Sequence, residues 1–167
     1  QVTPQAQTIF RAHLAGANEI PVVTSGATGQ IIAELHDTTL VVSGTFQGLE
    51  SDLATDVGGG VHLHMGMAGE AGGVMVALET TIGTDNRSGV FDPDMNTFEL
   101  TSDQVDMLYN RGVYINIHSM QHLPGEIRGQ LLPESQSVFT GFLSSIFANP
   151  TAYSSGSGGV KAELNGN

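Results

Sequence analysis

Residues 9–16 and 28–36 alternate apolar with polar positions, the period of two expected of strands that bury one face. Pro21 and a Ser25-Gly26 turn separate them. Thr38 to Gln47 is a further β-branched run, Val61-His62-Leu63-His64-Met65 a short apolar one, and Val74 to Leu78 a return strand. Gly58-Gly59-Gly60 precedes the histidine-bearing run, and Gly66, Gly69, Gly72 and Gly73 follow it. Such density predicts tight turns or close backbone approach. One helix is predicted near 102–110. Thr101-Ser102-Asp103-Gln104 offers a capping box, Val105, Leu108 and Tyr109 make the apolar stripe, and Gly112 follows as a C-terminal stop. Strands over 113–118 and 126–132 close the pattern. Many short strands and a single helix predict an all-β antiparallel sandwich or barrel.

Composition narrows the function classes. The 167 residues suffice for one good core, and 22 glycines with 13% charged residues suit a turn-rich β domain. A net charge of −12 repels nucleic acid and anionic lipid, so neither is an expected partner. The absence of cysteine excludes thiolate metal sites, disulfides and cysteine catalysis. No apolar run reaches the roughly 20 residues that span a bilayer. The polar start at Gln1 looks like a mature end left after removal of a signal peptide, which predicts export to the cell surface, the medium or a periplasm.

The candidate chemistry lies in two histidine pairs. His62 and His64 share one strand face by alternation, and His118 ends the run Val113-Tyr114-Ile115-Asn116-Ile117. If these strands meet, three imidazoles converge, and His122 is the candidate fourth, less securely placed because the chain turns near Pro124. Imidazole donors suit copper, zinc, nickel or iron(II), and a set poor in carboxylates disfavours Ca²⁺ and Mg²⁺. Met65, Met67 and Met120 lie close by in sequence, and a thioether reaching the site would bias it toward Cu(I). The competing account has the histidines donating ring N–H groups to backbone carbonyls and locking loops with no metal. Glu126 and Arg128 share a strand face with Gln130. Arg128 then either serves as an anion-guiding group beside the metal or belongs to a Glu–Arg or cross-strand pair that fixes the closing strand. Asp92-x-Asp94-x-Asn96 imitates the opening of a calcium loop without its glycine and later spacing, and reads better as a solvated hairpin tip. His13 and His36, without partners in sequence, read as surface histidines. No nucleophile signature, P-loop or dinucleotide fingerprint is present.

Residues 138–166 resemble 9–37 at a constant offset of 129, through Phe10/Phe139, Leu14/Leu143, Pro21/Pro150, Ser25/Ser154, Gly29/Gly158, Ala33/Ala162, Glu34/Glu163 and Leu35/Leu164. Composition alone gives roughly two identities over such a span. Residues 138–167 are therefore expected to be the opening strands of a second domain in a tandem array, or a strand-donating tail that links subunits. The plainer account is coincidence in a Gly/Ser-rich tail.

Phe10-x-Ala12-x-Leu14-x-Gly16-Ala17-x-Glu19-x-Pro21, His62-x-His64-x-Gly66, Tyr114-x-Asn116-x-His118 and Pro124-Gly125-Glu126-Ile127-Arg128-Gly129-Gln130-Leu131 together resemble the CHRD domain. This family is named after chordin and is widespread in bacterial exported proteins. The resemblance implies a Greek-key-like antiparallel β-sandwich of superoxide-dismutase-like or immunoglobulin-like type, extracellular and often repeated in tandem. It implies no established reaction. The domain would span 9–135, after a lead over 1–8. The His-x-His strand is also similar to part of the copper site of Cu,Zn superoxide dismutase, but that family's zinc-binding loop and disulfide are missing here. The expected function is an extracellular binding or structural module with a transition-metal site, copper first and zinc next, and with self-association or a tandem neighbour as partner. The alternatives are a copper-dependent redox enzyme and a metal-free adhesion or matrix domain.

Overall fold

The computed structural model describes residues 7–134 and 136–165, and the chain divides after Glu134 into two units. The polar lead over residues 1–6 lies outside the described residues. In the first unit β1 (Thr8–Ala15) pairs with β2 (Thr28–His36), and β2 with β3 (Thr39–Gln47). Their alternation does what the pattern predicts. Phe10, Ala12 and Leu14, then Ile31, Ala33 and Leu35, then Leu40, Val42 and Phe46, are buried on one side. Beyond them come β4 (Val61–Met65), β5 (Val74–Ala77), β6 (Thr81–Ile82), β7 (Gly89–Phe91), β8 (Thr97–Glu99), helix α1 (Ser102–Tyr109), β9 (Val113–Ile117), β10 (Ile127–Gln130) and β11 (Leu132–Pro133).

All pairings are antiparallel within one sheet of order β5-β4-β9-β10-β1-β2-β3-β7-β6, with β11 on β1 and β8 on β3. The sheet curls so that residues from both its ends meet in one apolar core: Leu63, Ile115 and Ile117 pack with Phe10, Ile31 and Phe91. The all-β, sandwich-like fold is as the sequence predicts, but a single curled sheet forms it rather than two separate ones.

Strands β6, β7 and β8 have no counterpart in the sequence prediction, which assigns only turns to residues 85–89 and 92–96. They are two or three residues long, too short to display a period. One buried side chain holds them. Asn96 is 0% exposed. Its Nδ2 donates to Glu79 O and Asp92 O, and its Oδ1 accepts from Glu79 N. Asp92 Oδ1 accepts from Asp94 N in an exposed loop between β7 and β8. Those strands follow one another along β3 and do not pair with each other, so the calcium-like spacing is a turn with a buried pin and not the tip of a hairpin. Asn96→Leu leaves the Glu79 N–H and C=O unpaired, and should lower stability by about 3 kcal/mol, measured by urea unfolding.

Helix α1 carries the predicted capping box, with Thr101 Oγ1 accepting from Gln104 N and Gln104 Oε1 from Thr101 N. Leu108 is buried, while Tyr109 is half exposed and meets Phe10 edge-on at 5.8 Å. The left-handed residue after the helix is Arg111 (φ 62), one position before the predicted stop, and Gly112 N then closes on Met107 O.

In the second unit β12 (Gln136–Ser144) and β13 (Ser157–Asn165) form a two-stranded antiparallel sheet, with a 3-10 turn over Ser145–Phe147 between them. Leu143, Phe147 and Val160 are exposed on it.

Candidate metal centre

Strands β4, β9 and β10 are buried on both faces. Val61, Leu63, Ile115, Ile117 and Ile127 face the core, so the alternate positions face the other way. There the register sets His62 beside Asn116 and Asn116 beside Arg128, with His64, Tyr114 and Gln130 as the next row. His118 follows two residues after Asn116 on the same face. This second, polar layer is covered by loops. Gly66 and Met67 carbonyls accept from Gln130 and Arg128, and Pro124 O accepts from Asn116 Nδ2.

His62, His64 and His118 are at most 9% exposed, and one ring nitrogen of each lies within 4.8 Å of the others. Their outer nitrogens are all engaged by backbone carbonyls: His62 Nε2 with Gly58 O (2.9 Å), His64 Nδ1 with Gly72 O (3.0 Å) and His118 Nδ1 with Leu123 O (2.8 Å). A carbonyl only accepts, so these three nitrogens carry the protons. The lone pairs of the neutral rings are therefore on His62 Nδ1, His64 Nε2 and His118 Nε2, the atoms that converge. His62 Nδ1 and His118 Nε2 are 3.1 Å apart, two acceptors face to face, and His64 Nε2 is buried with no partner. Burial holds His64 and His118 below the ordinary histidine pKa, against the raising effect of their carbonyl bonds, which keeps both rings neutral at pH 7. A shared proton could reconcile His62 with His118 but would leave His64 bare. One cation would satisfy all three.

The sequence pattern puts the two β4 rings in place by local devices. The β4–β5 register shifts between Leu63 and His64, a bulge that re-aims the second histidine. Gly58 has φ +52, and a Cβ there would lie 2.6 Å from His62 Nε2. A Cβ on Gly72 would lie 1.5 Å from Met65 O. Gly72→Ala should therefore displace the carbonyl that orients His64 and weaken metal binding about 10–100-fold, the usual effect of losing such a partner, as read by competition titration.

Tyr114 was not anticipated as a site residue. Its ring stacks on His64 (5.0 Å, 8°), and the Arg128 guanidinium lies 3.4 Å from the ring centroid, necessarily on the other face. Its hydroxyl accepts from Gly72 N, so one residue, through its N–H and its carbonyl, fixes both Tyr114 and His64. Positions 114, 116 and 118 share a strand face, and that alternation was the available signal. Glu19 and Asn116 are the other unanticipated members. Both are 6% exposed, and their Oε1 and Oδ1 lack partners around Gly125. Burial pushes the Glu19 carboxyl up to about 7, against the opposing pull of Arg128.

The remaining candidates fall outside the triad. His122 Nε2 pairs with Glu50 (2.8 Å). Met65, at the end of β4, and Met67 and Met120, on the loops around the site, are 37%, 44% and 55% exposed. Glu126 accepts from Ser25 Oγ and Glu50 N and does not pair with Arg128, which turns to Tyr114, Met67 O and the field of Glu19. Glu126 thus ties two loops to the closing strand. His13 and His36 are exposed, as expected.

The CHRD domain family model matches residues 10–131, most of the chain and all of this site. The chain belongs to the CHRD family. CHRD domains are typically extracellular, and no described helix is long and apolar enough to cross a membrane. No curated protein and no solved structure matches the chain. The three histidines, Tyr114, Asn116 and Arg128 all fall inside the CHRD match, so the polar layer belongs to the domain itself.

Proposed function

We propose that this CHRD domain is an extracellular binding module that holds one transition-metal ion on His62 Nδ1, His64 Nε2 and His118 Nε2. The convergence of three unprotonated, buried nitrogens carries the proposal, because nothing else in the layer neutralises their mutual repulsion. Copper is the first choice. An all-imidazole set without carboxylates suits copper or zinc, and Cu²⁺ binds tightest among the divalent ions. Zinc, then nickel or iron, are the alternatives.

A second reading is a copper-dependent redox enzyme of superoxide-dismutase-like type. Three protein ligands leave a coordination position open, and the Arg128 cation stacked beyond Tyr114 would draw a small anion toward it. The module also has an assembly role in this proposal. Strands β12 and β13 have no other sheet partner among the described residues, so they can join the domain to a neighbouring unit.

Elemental analysis of protein purified without affinity metals tests the site, with near-stoichiometric copper expected. No copper, zinc, nickel or iron as isolated, with no uptake from added Cu²⁺ or Zn²⁺, leaves the metal-free adhesion domain. Superoxide consumption that follows copper loading would move the assignment to the enzyme, and its absence would keep the binding module.

A further inference from the structure

The strand pair 136–165 repeats the first hairpin of the domain in register as well as in sequence. Phe10↔Ala33, Leu14↔Gly29 and Ala15↔Thr28 recur as Phe139↔Ala162, Leu143↔Gly158 and Ser144↔Ser157, each shifted by the offset of 129. The 3-10 turn recurs too, Gly16–Asn18 as Ser145–Phe147. What differs is the surroundings. Leu14 and Ile31 are 2% and 1% exposed, whereas Leu143 and Val160 are 57% and 47% exposed.

The first hairpin shows what covers such a surface. On the β1 side, Ala15 pairs with Arg128 of β10, and a Cβ built on Gly16 would come within 3.3 Å of Glu126 O. On the β2 side, β3 runs alongside, and Phe46 Cβ lies 3.2 Å from a Cβ built on Gly29. In the second hairpin, the equivalents of these covered positions line an open groove of about 490 Å³ between Leu143, Phe147, Ala148 and Gly158. The groove is thus the seat that Phe46 and the Glu126–Arg128 strand fill in the first domain.

We infer that residues 136–165 dock a CHRD body, the part of such a domain equivalent to residues 38–134, for which they serve as the first hairpin. This rests on the reading of the strand pair as the joining segment, and it names what is joined. An intact second copy does not fit as well, because its β1 and β2 already occupy that seat.

The test repeats residues 38–134 after Gly166, the point at which the offset continues, and follows hydrogen exchange at the amides of 138–143 and 158–163. A lone hairpin is marginal in water, so these amides should exchange fast in the original chain and about a hundredfold slower or more in the extended one. Leu143→Asp with Val160→Asp in the extended chain should abolish that protection, and Leu143→Ile with Val160→Ile should keep it. An extended chain whose hairpin stays unprotected overturns the inference, whether or not the added body folds. So does protection that survives the aspartates. Protection in the original chain that grows with concentration would instead show that intact copies associate, leaving assembly standing while this inference fails.

Discussion

His62→Ala, His64→Ala and His118→Ala should each abolish tight metal binding, while His122→Ala should leave it near the wild-type level. Each of the first three removes one of only three donors, so the loss should exceed the 10–100-fold that accompanies loss of an outer partner. His122 is the informative control. By sequence it is the natural fourth ligand, four residues past His118, yet its Nε2 is 2.8 Å from Glu50 and it lies outside the triad. Competition titration with Cu²⁺ on the four variants separates a three-histidine site from a four-histidine one. Metal loss in His122→Ala comparable to that in His118→Ala would refute the three-histidine set. The metal-free alanine variants should still fold, since each removes one converging acceptor nitrogen from a crowded polar pocket together with one carbonyl bond. Unchanged circular dichroism would confirm that the loss is one of ligands.

Glu19 should make the metal-free protein less stable as pH rises from about 4.5 to about 7. Its carboxyl is raised from its ordinary 4.5 to about 7, chiefly by burial, with the Arg128 and His122 charges working in the opposite direction. In that window the folded state holds a proton that the unfolded state has released, so the contribution is complete below the lower value and gone above the upper one. The full difference is about 3 kcal/mol, from 1.36 kcal/mol per pH unit. Glu19→Gln carries no charge to bury and should lose this dependence. Urea unfolding of both proteins at pH 4.5 and pH 8 isolates it, because His64 and His118 titrate in both and cancel in the difference. Parallel stability curves would show that the Glu19 charge is fully compensated by Arg128 when folded. The retained Arg128 cation would in turn be less well accommodated in Glu19→Gln, which limits the variant's gain at pH 8.

The strands that carry the site were legible because they are long enough to show a period. β1 to β4, β9 and β10 follow alternation, and the helix declares itself by its capping box. The triad was legible too, since His62 and His64 differ by two residues and His118 ends a β-branched run that had to pair somewhere. Strands β6 to β8 were hidden, because two or three residues carry no periodic signal and their pairing depends on Asn96, whose partners Glu79 and Asp92 come from different loops. The pairing of Glu126 with Arg128 was a fair expectation from their shared face, but Ser25 and Glu50 come from loops far along the chain.

Residue order alone thus determined the all-β class, the CHRD motifs, the helix boundary and which three histidines could share a face, because those properties depend on neighbours within one strand or turn. Which nitrogen of each ring is free, that His122 turns away to Glu50, that Tyr114 is stacked between His64 and Arg128, and that Glu19 is buried were decided only by tertiary structure. Each depends on a carbonyl, a ring or a charge delivered by a loop distant in sequence, whose distance and direction no local pattern encodes.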